Sequence, residues 1–345
     1  MGPSRRASGP GAQGSLGVVA VVAALVALVA GCGGSGSHGR TTITRTAVPV
    51  RVPPPAPPPR PTRFAVGFRE VRMVDPTRFI RLPNGTSERR TFVVQVRYPA
   101  LGPVRATDVL DAPAAREYGP FPLIVFGHGF DVTPSLYARL LQAWTRAGYV
   151  VASPVFPREN PDAPGGPDEA DLVNQPADMR LTITRMLAAS HAPANPLDGM
   201  VDPSRVAVAG QSDGGDTALA AAYDRPYRDP RIRAAVILSG AEIPFAPGFT
   251  VPRGAAPLLA TQGSADTINP PQATTAFFAS APAPKFLLTL IGAGHLPPYS
   301  YEQPQLGIVE RVTLAFLARY LDHGSLQRLV AAGTVPGIAR LTSDP

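Results

Sequence analysis

The sequence predicts an α/β fold, with one mostly parallel eight-stranded sheet and helices packed on both of its faces. Three observations lead there. Short, nearly continuous apolar runs such as PLIVFG (122–127), RVAVAG (205–210) and AAVILSG (234–240) have the character of strands buried on both sides, as parallel strands are. Between them lie amphipathic stretches of helical period, for example SLYARLLQAWTRAG (135–148) and QLGIVERVTLAFLARYLDH (305–323). The two patterns alternate, which is the order that sets helices against a parallel sheet.

The 345-residue chain does not enter this pattern at once. Arg5 and Arg6 precede an apolar run, GVVAVVAALVALVA (17–30), which is shorter than the ~20 residues of a membrane-spanning helix and has the form of a signal-peptide core. After it comes LVAGC (28–32), where small residues lead to the only cysteine of the chain. This segment resembles the lipobox of bacterial lipoproteins. The resemblance implies a lipoprotein signal peptide over 1–31, lipidation of Cys32, and an extracytoplasmic protein that is anchored to the membrane or secreted. A lone cysteine also excludes an internal disulfide. Residues 32–63 are Gly/Ser-rich and then proline-rich, as in VPVRVPPPAPPPRP (48–61). Such a segment has too little apolar surface for a core and favours extended polyproline, so it is expected to be a semi-rigid tether.

The folded domain is expected over 64–345, without internal repeats. Its first two strands, AVGFREVRMV (65–74) and TFVVQVRYP (91–99), alternate apolar and polar residues as a half-exposed antiparallel edge does. The remaining strands are PLIVFG, YVVASP (149–154), RVAVAG, AAVILSG, APLLATQG (256–263) and KFLLTLIG (285–292). Helices are expected over 135–148, 176–190, 216–224, 271–280 and 305–323.

A formal charge of +7 and 32 basic residues raise the question of a nucleic-acid partner. The cations are scattered arginines without aromatic interleaving, so they read as a solvated surface and no nucleic acid is expected. No dinucleotide fingerprint, phosphate loop or metal-ligand spacing is visible, and no cofactor or metal is expected. A monomer is expected.

The chemistry centres on VAVAGQSDGG (206–215), in which Gly210, Ser212 and Gly214 fit GxSxG. A nucleophile elbow turns from strand to helix so tightly that the flanking positions must lack side chains, while the serine hydroxyl projects above the sheet. RVAVAG supplies the strand and DTALAAAYD (216–224) the helix. A serine nucleophile needs a base, and there are five histidines. His38 falls in the tether, His128 in a glycine turn, His191 in a Pro/Ala loop and His323 at a helix end. His295, in LIGAGHLPP after the last expected strand, is the candidate base. A carboxylate must orient it. Asp266, in TQGSADTINPP after the seventh strand, is the candidate acid, with Glu242 as the alternative. For the oxyanion, the turn FGHGF offers the Phe130 backbone N–H beside that of Asp213, the residue after the nucleophile. His128 reads as a structural turn residue, and the Phe130 ring as a wall of the acyl pocket.

The order HGF, GQSDGG, GSAD, GAGH resembles the α/β-hydrolase superfamily across the whole folded part. More narrowly, REVRMVDPTR (69–78), FVVQVRYPA (92–100), FPLIVFGHGF and DLVNQPADM (171–179) resemble bacterial esterases of the platelet-activating-factor acetylhydrolase, dienelactone-hydrolase and polyester-hydrolase groups. The resemblance implies Ser212 as nucleophile, Asp266 as acid, His295 as base, and the Phe130 and Asp213 amides as oxyanion donors. Two positions depart from the pattern: Gln211 stands where many relatives carry histidine, and Asp213 where an apolar residue is frequent. The loop 156–176, rich in Pro, Gly and acids, shows no amphipathic insertion of the lipase-lid kind and either lines the cleft or is an ordinary surface loop.

The function expected is a lipid-anchored serine esterase acting on small-molecule or lipid esters. A cell-envelope acyltransferase using the same triad, or a non-catalytic binding lipoprotein, are the alternatives.

Overall fold

The computed structural model describes residues 59–244, 249–252 and 254–345. The expected signal peptide, Cys32 and nearly all of the tether lie outside the described residues.

The described chain folds around one ten-stranded sheet. Its strands are β1 (Ala65–Arg81), β2 (Ser87–Ala100), β3 (Val109–Leu110), β4 (Phe121–Gly127), β5 (Val150–Pro154), β6 (Val201–Gln211), β7 (Ile232–Leu238), β8 (Leu258–Gly263), β9 (Lys285–Leu290) and β10 (Ala339–Asp344). They are ordered β10-β9-β8-β7-β6-β4-β5-β2-β1-β3. From β5 through β4 to β9 every pairing is parallel. The β1–β2, β2–β5 and β9–β10 pairings are antiparallel. All eight expected strands are present, and the two additional ones lie at the sheet's edges. β3 is two residues long and pairs only with Gly67 and Phe68. β10 is mostly exposed, so neither carries a buried apolar run. β1 extends beyond its expected end through a register irregularity between Val74 and Phe79, where an extra stretch of chain bulges without ending the pairing.

Alternation along the strands divides the core into two layers. On β4, Leu123 and Val125 face one layer with Val206 and Val208 of β6, while Ile124 and Phe126 face the other with Ala207 and Ala209. The first layer is closed by α2 (Gln175–Ala189), α3 (Asp213–Tyr223) and α4 (Pro271–Ser280), through Met179, Ile183, Leu219 and Phe277. The second is closed by α1 (Ala138–Arg146), α6 (Gln305–Leu321) and α7 (Leu326–Gly333), through Leu141, Trp144, Val312, Phe316 and Leu329. A single turn, α5 (Pro297–Ser300), precedes α6. The buried Trp144 donates its indole N–H to Thr313 Oγ1 at 2.8 Å, tying α1 to α6.

A buried ion cluster fastens the loop before α2 to the antiparallel edge. Arg90 of β2 is 2% exposed and bridges Asp171 at 2.6 Å and Asp178 at 2.5 Å. Arg78 of β1 also donates to Asp178, at 2.6 Å, and reaches Asp75 at 2.7 Å. Charges taken out of water need this density of pairing, and the cluster holds the start of α2 against β1 and β2.

Candidate active site

β6 ends at Gln211 and α3 begins at Asp213, so Ser212 alone makes the turn, with φ 55° and ψ −127°. An L-residue rarely occupies positive φ, and a nucleophile elbow is one of the places where such strain persists. The flanking glycines follow from contact. A Cβ on Gly210 would stand 1.9 Å from the Gly214 carbonyl oxygen, and one on Gly214 would stand 2.2 Å from the Gly127 carbonyl. The second glycine thus lets the first turn of α3 press against the end of β4.

The three residues expected to act together do meet. Ser212 Oγ lies 2.9 Å from His295 Nε2, and His295 Nδ1 lies 2.8 Å from Asp266 Oδ2. Asp266 is buried after β8, and its Oδ1 accepts the Ile268 and Asn269 N–H groups, each at 3.0 Å. Gln262 donates to Oδ2 at 3.2 Å and is itself held by Thr274 Oγ1 at 2.6 Å. With Oδ2 accepting from Nδ1, the imidazole presents Nε2 as an acceptor to the serine hydroxyl. The Asp266 and His295 loops are joined directly, since Ala265 N–H donates to the Ala293 carbonyl at 2.9 Å.

Glu242, the alternative acid, is not near His295. It is exposed and borders a separate cavity of about 200 Å³ with Asp216 and Asp224.

The turn after β4 lies against the nucleophile because Gly127 pairs with Gly210 in the parallel register. The Phe130 and Asp213 N–H groups are engaged by no backbone carbonyl among the described residues. His128 is fully buried, and its Nε2 accepts the Phe156 N–H at 2.9 Å while Nδ1 donates to the Gly129 carbonyl at 2.8 Å. Burial, partly offset by that carbonyl, brings its pKa down to about 4, so the ring is neutral at physiological pH. It braces the turn from beneath and does not reach Ser212.

Two contributors were not legible as such in the sequence. Gln211 Nε2 donates to the His295 carbonyl at 3.2 Å, and Gln211 Oε1 accepts the Tyr137 hydroxyl at 2.6 Å. Tyr137 in turn accepts the Gly129 N–H at 3.3 Å. The Gln211 side chain therefore links His295 to the turn after β4.

A cavity of about 260 Å³ opens over Ser212 and His295, walled by Phe130, Val132, Ile268 and Leu296. Phe130 and Ile268 are 43% and 69% exposed and stand at its mouth. No residue of the loop 156–176 lines this cavity. Among the described residues no group of three or more His, Cys, Asp or Glu is arranged to hold a metal ion.

The fold is that of the α/β-hydrolases, with Ser212, His295 and Asp266 in hydrogen-bonded series at its strand-to-helix elbow. Residues 85–237 match the family described as chlorophyllase. The fold is similar to that of a ferulic acid esterase from Streptomyces cinnamoneus, with a TM-score of 0.58 and 21% identity over 77% of this chain and 93% of that one. No curated protein sequence matches the chain.

Proposed function

We propose that the protein is an extracytoplasmic, lipid-anchored serine esterase that cleaves carboxylic esters through an acyl-enzyme. The observation that carries this reading is the continuous relay from Ser212 Oγ through His295 to Asp266, at 2.9 and 2.8 Å, beneath an apolar cavity. Ser212 Oγ attacks the ester carbonyl carbon as His295 Nε2 takes its proton. Negative charge gathers on the carbonyl oxygen, opposite the Phe130 and Asp213 N–H groups. The Nε2 proton then passes to the departing alkoxide, leaving Ser212 acylated. A water molecule repeats the attack, gives its proton to Nε2, and the acid is released as Ser212 recovers its proton. Asp266 stabilises the imidazolium formed in each half.

The substrate side follows from the cavity wall. Phe130, Val132, Ile268 and Leu296 offer no charge to an acyl group, and the open mouth lets one half of the ester remain in water. Neutral esters with a compact apolar acid fit best. The names chlorophyllase and ferulic acid esterase both belong to ester-cleaving enzymes and support the reaction class. The anchor rests on LVAGC and Cys32, and residues 33–63 would hold the catalytic domain off the bilayer.

Purified protein assayed on nitrophenyl esters from acetate to palmitate tests the reaction and the acyl preference together. Hydrolysis that is fastest for short acyl groups and is abolished by Ser212→Ala is the expected result. Equal slow rates for wild type and Ser212→Ala would sink the proposal, and acyl transfer to an added alcohol in preference to water would redirect it to an acyltransferase. Cys32→Ser should release the protein from the membrane fraction.

A further inference from the structure

Glu159 lies in the loop leading from β5 toward α2 and is fully buried. Its main-chain carbonyl accepts the Asp131 N–H at 3.0 Å, one residue past the oxyanion donor Phe130. Its side chain has neither of the usual ways of surviving burial. Both carboxyl oxygens lack a hydrogen-bond partner, as does Oδ2 of Asp213, the residue that carries the other oxyanion donor. The Asp213 carboxylate is approached by the Ser212 hydroxyl, at 3.5 Å from Oδ1, and by its own main-chain N–H. The Gln175 amide stands near Glu159 but outside hydrogen-bonding geometry.

The charges around this pocket are of one sign. Among charged groups Asp213 acts on Glu159 most strongly, followed by Asp171 and Asp216, all of them carboxylates. Arg90, the nearest guanidinium to Asp171, is taken up by Asp171 and Asp178. From the other side, Asp213 faces Glu169 and His295, of which only His295 can become positive. A buried carboxylate with no hydrogen bond and no counter-charge does not persist, and it takes up a proton instead.

We propose that Glu159 is a positioning residue that works as a neutral carboxylic acid: its main chain pins the Phe130 turn, and its protonated side chain keeps a second negative charge out of the space behind the oxyanion hole. This rests on the serine esterase reading. The tetrahedral intermediate places its own negative charge at the Phe130 and Asp213 N–H groups. A further anion buried behind them opposes that charge in a low-dielectric setting, where it is poorly screened. Protonation also turns one unpartnered oxygen of Glu159 into a donor. Burial first, and then Asp213, push the Glu159 pKa up to about 9, while burial and Glu169 raise that of Asp213 to about 6. The pocket thus carries one charge at neutral pH and gains a second only in alkali.

The test is the pH dependence of kcat and KM on a short nitrophenyl ester, in the wild-type chain, Glu159→Gln and Asp213→Asn, with spontaneous hydrolysis subtracted. Wild-type kcat should fall by about tenfold per pH unit above about pH 9, with KM nearly constant. Glu159→Gln, which cannot ionise, should lack this alkaline fall. Asp213→Asn removes the charge that most opposes ionisation of Glu159, so its fall should begin at lower pH. A residue of purely structural importance would lower kcat at every pH and leave the limb where it was. Superimposable wild-type and Glu159→Gln profiles overturn the proposal, as does an alkaline limb unmoved in Asp213→Asn.

A second readout does not depend on turnover. The infrared difference between wild type and Glu159→Gln at neutral pH should contain the carbonyl band of a protonated carboxylic acid that vanishes in alkali, and its absence overturns the proposal. If Glu159→Gln does not fold, the same band, titrating at lower pH in Asp213→Asn than in wild type, decides the matter. Ester hydrolysis that is missing at every pH, or that survives Ser212→Ala, counts against the esterase reading instead, and the infrared band then decides the state of Glu159 alone.

Discussion

Gln211 Nε2 lies 3.3 Å from His295 Nε2, the same nitrogen that stands 2.9 Å from the Ser212 hydroxyl. His295 is therefore held by the Gln211 side chain as well as by the Asp266 carboxylate.

Loss of that neighbour should be felt in turnover and not in affinity. Gln211→Leu removes the donor to the His295 carbonyl and the acceptor of Tyr137, and kcat should fall by about tenfold, equivalent to about 1.4 kcal/mol, with little change in KM. Tyr137→Phe, which leaves the Gln211–His295 contact in place, should cost less. Steady-state kinetics on one soluble ester compares the two.

The relay itself should respond as a unit. Ser212→Ala and His295→Ala should each lower kcat by at least about 10³, and the double variant should be scarcely worse than either. Labelling by a fluorophosphonate, measured by intact mass, should be lost in Ser212→Ala and slowed in Asp266→Asn. A double variant much slower than both single variants would mean that the two residues do not act on one step.

The ion cluster at the antiparallel edge should be sensitive to the removal of one partner. Arg90→Met leaves Asp178, which is fully buried, with only Arg78 and deprives Asp171 of its bridge. A loss of about 3–5 kcal/mol in unfolding free energy is expected, measured by urea titration. Because the cluster anchors the loop that carries Glu159, activity should decline more steeply with temperature than in the wild type.

Glu159 also sets a sign for stability against pH. Its pKa is raised from the ordinary glutamate value of 4.5 to about 9, so across that window the folded chain keeps a proton that the unfolded chain has released. Stability should therefore fall as pH rises through this range, by up to about 1.4 kcal/mol per pH unit from this group. Glu159→Gln should flatten that slope, and the difference between the two proteins should grow from pH 5 to pH 8. A constant difference across the range would show that Glu159 is ionised in the folded state. Chemical denaturation at a series of pH values makes the comparison.

Much of the architecture was legible because it follows from local pattern. Runs such as PLIVFG and AAVILSG are apolar on both faces, and only a central strand satisfies both faces at once. β3 and β10 were not legible, for the same reason in reverse: Val109–Leu110 is too short to show alternation, and ARLTSD is largely exposed at an edge. At the site, Gly210, Ser212 and Gly214 announce themselves because the elbow restricts residue type at fixed spacing. Gln211 and Glu159 do not. Glutamine beside a nucleophile has no sequence signature for a bond to a loop 84 positions away. Glu159 sits in a stretch of Pro, Gly and acids that reads as solvated, and its burial depends on α2 and α3 closing over it.

The pairing of Gly127 with Gly210 gives the enzyme an uneven tolerance for changes in length. Insertions in the loops that follow β7 or separate the acid from the base leave the nucleophile opposite its oxyanion turn. A single residue added to β6 before Gly210 would carry Ser212 past that turn or else reverse the facing of the β6 side chains that precede the insertion. Over generations, this domain can lengthen almost anywhere along its rim and almost nowhere along the strand that delivers its serine.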